Sequence, residues 1–322
     1  GRRDEIIPCL KCYRYCMDKP GGRDNTDAVL RFNDQSTHRF GCAVNPQAGR
    51  WQETPLPPCE SRRVLIIGGG PAGMQAALTA TERGHKVTLC EKASELGGAI
   101  RFADYVPFKS HLKDFKNYLI RMVERNGVDI RLNTEVTPEL IQAEQPDYVI
   151  AAVGSEPIIP NIPGISSANV MLATDTFGNE NLVGERVVII GGGQVGCETG
   201  LHLAKIGKDV SIVEMKYLVA GDANFTHRVA LMEQIDEYVA NVVVDTTCTA
   251  VTSEGVMVKD KEGNESLIPA DTVIIAAGMR PRVEYAESFE PVSNDFIPIG
   301  DCVAAKDVGH ATTTGYDAAR MI

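Results

Sequence analysis

The chain repeats itself. Residues 64–91 read VLIIGGGPAGMQAALTATERGHKVTLCE and residues 187–214 read VVIIGGGQVGCETGLHLAKIGKDVSIVE, 123 residues further on, with 11 of 28 positions identical. Each copy predicts a strand, a G-x-G-x-x-G turn, a helix, a second strand and an acid. Gly68 and Gly191 permit the tight turn, Gly70 and Gly193 let a pyrophosphate approach the backbone, and Gly73 and Gly196 let the helix pack on the strand. The helix N-terminus then presents unpaired N–H groups to the phosphates. Glu91 and Glu214 each follow the first glycine by 23 residues, where a carboxylate accepts ribose hydroxyls. One such glycine turn is weak evidence. Two copies, each with its strand, helix and acid, predict two dinucleotide sites, one for a flavin and one for a nicotinamide.

Composition bounds what surrounds the repeat. At 322 residues the chain has room for about two domains and a small extra piece. A formal charge of −11 argues against a phosphate-backbone binder, so no nucleic-acid partner is expected. No apolar run approaches the roughly 20 residues that span a bilayer, so no membrane segment is expected and the reading is cytoplasmic. The opening Gly1–Glu5 lacks Met and an apolar stretch. It does not read as a signal peptide, and a cloning remnant or the start of a fragment is expected.

Nine cysteines in a chain this long do not make a secreted disulfide framework. Cys9, Cys12, Cys16 and Cys42 form C-x2-C-x3-C-x25-C. Three close thiols plus a distant fourth suit a 4Fe-4S cluster. Zinc, which more often pairs two short knuckles, and unrelated thiols or disulfides remain alternatives. Residues 20–25 read as a polar loop between Cys16 and Cys42. Cys59, Cys90, Cys197, Cys248 and Cys302 read as buried small apolar residues, with a redox role left open only for Cys302.

The remaining pattern is strand and helix in alternation. Residues 1–60 show no periodicity and end in the stiff Thr54-Pro55-Leu56-Pro57-Pro58. A helix is predicted over 110–126 and strands over 128–132, 147–153, 257–259, 266–268 and 272–277, with the pair around Glu262-Gly263-Asn264 as a hairpin. Residues 296–301 form a strand ending in Gly300-Asp301, where an acid suits a flavin ribityl chain and a plain turn is the alternative. A helix is predicted over 310–322. His310 reads as a helix-start residue or a flavin neighbour. Asn224-Phe225-Thr226 and Asn264-Glu265-Ser266 match glycosylation sequons expected to go unused.

Together these give an α/β chain with two Rossmann-like dinucleotide-binding domains, the second inserted in the first. A Cys-rich cluster-binding segment precedes them. The expected boundaries are 1–60 for the Cys segment, 61–160 with 285–322 for the FAD domain, and 161–284 for the NAD(P) domain.

The GGGPAG and GGGQVG turns, Val149-Ile150-Ala151-Ala152-Val153-Gly154, Ile274-Ile275-Ala276-Ala277-Gly278 and Ile299-Gly300-Asp301-Cys302 resemble the two-dinucleotide flavoprotein reductases. Pro8-Cys9-Leu10-Lys11-Cys12, Cys16 and Gly41-Cys42-Ala43-Val44-Asn45-Pro46 narrow the resemblance. They are similar to the iron–sulfur linker of the 2,4-dienoyl-CoA reductase, enoate reductase and trimethylamine dehydrogenase group. There an Old Yellow Enzyme-like FMN barrel precedes the linker and an FAD/NAD(P) module follows. The barrel is missing here, and the Cys16–Cys42 spacing exceeds the family's usual one, which puts an insertion in the cluster loop.

The resemblance implies that Cys9, Cys12, Cys16 and Cys42 ligate the cluster. It implies FAD at Gly68, Gly70, Pro71, Ala72, Gly73, Glu91 and Lys92. Val136 would meet the adenine, and Gly97, Gly98, Ala152, Gly154, Gly300, Asp301, Ala311 and Thr312 would lie near the rest of the flavin. Gly191, Gly193, Gln194, Val195, Gly196, Glu214 and Gly278 would hold the nicotinamide dinucleotide. Glu214 favours NADH over NADPH, because a carboxylate repels a 2′-phosphate, although Lys216 lies close by.

The implied reaction is hydride transfer from NADH to FAD N5, then single electrons to the cluster and on to FMN in the barrel or a partner subunit. Homo-oligomerisation is also open. No Cys pair follows Gly98 or accompanies Cys197, so a dithiol relay is not expected. A stand-alone NADH:acceptor flavoprotein and a non-catalytic nucleotide- or zinc-binding scaffold are the rival readings.

Overall fold

The computed structural model describes residues 2–16, 41–50, 56 and 59–322. The loop read at 20–25 and the linker at 54–58, apart from Leu56, lie outside the described residues. The chain forms two compact units, Gly1–Glu156 with Arg280–Ile322, and Pro157–Met279. The crossings thus come a few residues before the 160/161 and 284/285 boundaries expected from sequence.

In the first unit, β1 (Arg63–Ile67), β2 (Lys86–Cys90), β3 (Asp129–Arg131) and β4 (Tyr148–Ala151) make a parallel sheet completed by a strand from the C-terminal part of the chain. Side chains alternate across the two faces of a strand, so VLII is apolar throughout because both faces are covered. Val64 and Ile66 face a core built from α1 (Pro71–Glu82) and α2 (Ser110–Arg125), including Met74, Ala77, Phe115 and Leu119. Leu65 and Ile67 face the opposite core with Val136, Ile141, Phe289 and Cys302. Phe115, Leu119 and Val123 recur every fourth residue and are almost wholly buried, which is why residues 110–125 form one amphipathic helix.

β5 (Ser155–Pro157) ends the first pass through this unit. The second unit repeats the plan. β6 (Val170–Leu172), β7 (Arg186–Ile190), β8 (Asp209–Val213), β9 (Asn241–Val243) and β13 form a parallel sheet in the order β6-β13-β7-β8-β9. β13 spans Thr272–Ile275. Val187 and Ile189 pack on α3 (Gln194–Lys205) and α4 (Phe225–Tyr238). Val188 and Ile190 pack on a three-stranded antiparallel sheet of β10 (Thr246–Val251), β11 (Gly255–Asp260) and β12 (Glu265–Pro269). The predicted hairpin is β11–β12. Strand β10 and helix α4 are additions that the periodicity did not show.

β14 (Met279–Pro281) pairs with β5, and β15 (Phe296–Pro298) joins the edge of the first sheet beside β4. The last helix, α5 (Val308–Arg320), begins two residues earlier than expected, because the Asp307 carboxylate accepts the His310 N–H at 3.0 Å and caps it. Gly315 lets α5 lie against α1: a Cβ there would sit 2.3 Å from Ala72 O. The segment around Cys42 is built into this unit. Val44 is buried in the core with Ala311 and Ala318. The Arg50 guanidinium lies over the Tyr316 ring and 2.5 Å from the Asp317 carboxylate. Among the described residues no helix is long and apolar enough to cross a membrane.

Candidate dinucleotide and cysteine sites

The first glycine turn joins β1 to α1. Gly68 has φ +108°, and a Cβ there would lie 2.3 Å from Ala152 O. A Cβ on Gly73 would lie 1.9 Å from Gly68 O, so helix and strand approach as closely as backbone allows. Gly70 differs: a Cβ there would meet only Gly98 Cα, at 3.8 Å. Among the described residues nothing requires glycine at that position, and a ligand passing over it would. Pro71 opens α1, with its missing N–H at a position that needs none.

Glu91, at the end of β2, is buried. Its Oε2 accepts the Gly69 N–H at 2.7 Å and its Oε1 the Ala93 N–H at 2.8 Å. The acid therefore braces its own glycine turn and leaves its remaining lone pairs for a ribose.

Around this turn the structure brings several predicted residues together. Gly97 and Gly98 both have positive φ, Gly97 donates its N–H to Gly69 O at 2.9 Å, and a Cβ on Gly98 would lie 2.8 Å from Gly70 Cα. A Cβ on Gly300 would lie 2.8 Å from Ala72 Cβ. Asp301 follows, partly buried, with its carboxyl pushed up mainly by burial, and its Oδ1 accepts the Lys306 N–H at 3.3 Å. Ala311 and Thr312 are buried in the first turns of α5. Gly154 has φ +71° and nothing within 4 Å of its Cβ position. Lys92 is exposed, and Val136 is buried against the β2–β4 face.

The second turn joins β7 to α3 with the same parts. Gly191 has φ +109°, with a Cβ position 2.4 Å from Ala276 O, and a Cβ on Gly196 would lie 1.9 Å from Gly191 O. Buried Glu214 accepts the Gly192 N–H at 2.7 Å and the Lys216 N–H at 2.8 Å. A cavity of about 630 Å³ opens here, lined by Gly191, Gly193, Glu214, Lys216, Asp222 and Gly278 among others. Val195 is exposed at its edge.

Asp222 is the residue that sequence reading missed. Its Oδ1 accepts the Gln194 N–H at 2.7 Å, at the helix end where a pyrophosphate would sit. No motif flagged it, because it reaches the turn from a loop 28 residues away. Glu198, one turn into α3, accepts from Gln194 Nε2 at 3.0 Å and lies 2.9 Å from His227 Nε2.

In the Cys segment, Lys11 and Tyr13 adopt positive φ, of 54° and 56°. The Lys11 N–H donates to Cys9 Sγ at 3.3 Å, and the Arg14 backbone N–H bonds the Cys12 sulfur. Burial, then the neighbouring Cys16, Cys42 and Cys9, push the Cys12 thiol up. Among the described residues, no group of three or more His, Cys, Asp or Glu could hold a metal ion as the side chains stand. By type, four cysteine thiols are the donors that a cluster would need. Cys9, Cys12, Cys16 and Cys42 are all unbridged, and backbone N–H groups point at two of the sulfurs, Cys9 and Cys12.

Of the other thiols, Cys90, Cys197, Cys248 and Cys302 are buried as expected, whereas Cys59 is only partly buried, with its sulfur 3.6 Å from both Arg83 O and His85 Nε2. Cys302 is fully buried and donates to Ile299 O at 3.0 Å and Ala151 O at 3.3 Å; Cys197 is buried and donates to Gly192 O at 3.4 Å. Asn224 of the first sequon caps α4, its Oδ1 accepting the His227 N–H at 2.8 Å.

Residues 62–299 match the family model described as pyridine nucleotide-disulphide oxidoreductase. Over its whole length the chain is 36% identical to 48% of the bilirubin reductase of Mediterraneibacter gnavus. It is likewise 37% identical to 48% of the NADH oxidase of Thermoanaerobacter brockii. A solved 2-naphthoyl-CoA reductase, in complex with 2-naphthoyl-CoA, superposes on the whole chain with a TM-score of 0.89 at 28% identity, using 47% of that protein. The chain spans about half the length of these relatives. With two glycine turns of one construction and a family match over most of its residues, the chain belongs to the pyridine nucleotide-disulphide oxidoreductase family.

Proposed function

We propose that the chain is an NADH-dependent flavoprotein electron-transfer module that carries electrons from NADH through FAD to a 4Fe-4S cluster. It would form part of a larger enoate or dienoyl-CoA reductase-type NADH:flavin oxidoreductase. The observation that carries this reading is the pair of glycine turns in which Gly70 and Gly193 have, among the described residues, no internal reason to be glycine. When bound, FAD supplies a hydride acceptor that can release electrons singly, and the cluster supplies a one-electron carrier.

The protein's part is to bind and orient. Gly68–Gly73, Glu91 and the start of α1 would hold the adenosine and phosphates of FAD, with Gly97, Gly98, Asp301 and the first turn of α5 around the rest. Gly191–Gly196 and Glu214 would hold NADH, and the Glu214 carboxylate disfavours the 2′-phosphate of NADPH. Cys9, Cys12, Cys16 and Cys42 would ligate the cluster. An FMN barrel, in the same chain or in a partner subunit, would account for the half of the relatives that this chain does not span. Nine unbridged cysteines suit a reducing, cytoplasmic setting.

The test is an anaerobic visible spectrum of the purified chain before and after one equivalent of NADH, with Gly70→Ala and Gly193→Ala beside it. Flavin bands that bleach over a residual brown shoulder support the module. Gly70→Ala should lose FAD, and Gly193→Ala should keep FAD but lose its bleaching, with the unfolding midpoint of each cofactor-free chain unchanged. A chain that stays colourless after reconstitution with FAD, iron and sulfide sinks the reading, and stoichiometric zinc in it would favour a scaffold.

A further inference from the structure

We infer that Tyr15 and Asp307 are positioning residues that couple loading of the Cys segment to flavin binding at the first turn of α5. The inference rests on the proposed function and names a device within it.

One carboxylate joins three parts. Asp307 Oδ1 caps α5 through the His310 N–H at 3.0 Å and accepts the Tyr15 hydroxyl at 2.5 Å. Its Oδ2 pairs with Arg14 Nε at 2.8 Å. Both partners lie between Cys12 and Cys16. The Tyr15 ring rests on the helix as well: a Cβ on Gly309 would fall 2.2 Å from Tyr15 Cε2 and 2.4 Å from Cζ. Glycine at 309, inside a helix where it lowers intrinsic stability, thus makes room for this ring.

The other half of the Cys segment docks on the same turn. The Gly41 N–H donates to Tyr15 O at 3.4 Å, and Thr312 Oγ1 donates to Ala43 O at 2.8 Å. The same stretch of α5 faces the first glycine turn through Gly315, Ala72 and Gly300. The Gly300 N–H donates to Thr314 Oγ1 at 3.1 Å.

Drawing Cys12 and Cys16 onto a cluster fixes the loop that carries Tyr15 and Arg14. That fixes the Asp307 cap and hence the first turn of α5, where the flavin would sit. Coupling of this kind is reciprocal: the loaded loop favours FAD, and FAD favours retention of the cluster.

FAD dissociation from the full chain is followed by flavin fluorescence, with the cluster loaded and after its removal by chelator. The wild type should bind FAD about tenfold more tightly when loaded. Tyr15→Phe keeps the ring and loses the hydroxyl. Gly309→Ala suits a helix and displaces the ring. Each should retain iron yet bind FAD equally in both forms.

Iron loss should also be slower with FAD bound in the wild type, and indifferent to FAD in both variants. A general loss of stability would weaken both forms and leave their ratio intact. Equal affinity of loaded and stripped wild type, or a full ratio in both variants, overturns the coupling while leaving the module standing. A wild-type chain that takes up neither FAD nor iron overturns both.

Discussion

The two glycine turns agree in what the fold demands and differ at the mouth of the helix. In each copy three of the four shared glycines are forced from within. Gly68 and Gly191 face a backbone oxygen, Gly73 and Gly196 face the turn's own carbonyl, Gly69 faces the Leu96 side chain at 2.4 Å, and Gly192 faces the Glu214 and Val219 side chains at 2.8 Å. The two glutamates brace their turns with equivalent pairs of hydrogen bonds. Over the helix mouth, Gly70 meets Gly98, whereas Gly193 meets the Asp222 carboxylate. Much of a dinucleotide fingerprint is therefore self-support. The copies differ in the residues brought to the mouth, a bare backbone in one and an anion in the other.

The heaviest blow to this equivalence is Gly73→Ala or Gly196→Ala. Each puts a methyl 1.9 Å from a backbone oxygen and should cost about 3 kcal/mol by overpacking. Urea unfolding read separately for each unit checks it, and a fall in only one would show that the turns are not equally tight. Next come Glu91→Gln and Glu214→Gln. An amide in place of the carboxylate loses one of two charge-assisted bonds in a buried setting, for about 2 kcal/mol each in the same measurement.

Asp222→Ala acts on the difference rather than the likeness. Freeing the Gln194 N–H and removing a negative charge should tighten NADH about tenfold, read by titration, with FAD affinity unchanged. Weaker NADH binding would instead make Asp222 part of the binding surface.

The smallest effect concerns the strand starts. Arg63 pairs with Asp147, and Arg186 with Asp271, each through backbone N–H and guanidinium. Arg186 holds the Asp271 carboxyl down at about 2, and Arg63 holds Asp147 below its ordinary value. A depressed carboxyl stabilises above its unfolded value of 3.8 and loses that contribution as pH falls toward 2. The gap in unfolding midpoint between wild type and Asp271→Asn should close over that window, with a lesser change for Asp147→Asn.

The repeat, the central strands of both parallel sheets and α2 were legible because apolar runs and four-residue spacing survive in the sequence, whereas the short edge strands β6 and β9 were not read. Helix α4 was not, since only Leu231 and Ile235 are buried in it and its cap Asn224 reads first as a sequon. Strand β10, TTCTAV, lacks the apolar run that marked its neighbours. The two acids were legible from their distance to the glycines, and each does bond its own turn. Tyr15 and Asp222 were not, because their partners are tertiary: Asp307 stands 292 residues from Tyr15. The cap Asp307 carried a readable signal, an acid immediately before a helix, which the 310–322 reading passed over.

Cys90, Cys197, Cys248 and Cys302 are buried, and burial pushes their thiols up, to about 11, 12 and 11 for the first three. Alkylating reagents attack thiolates, so at neutral pH these four are silent in the folded chain. The mass gained by native protein under a brief pulse of iodoacetamide is then written by Cys59 and the early quartet alone. That mass shift makes the chain its own gauge of whether the quartet is occupied, readable without colour or turnover.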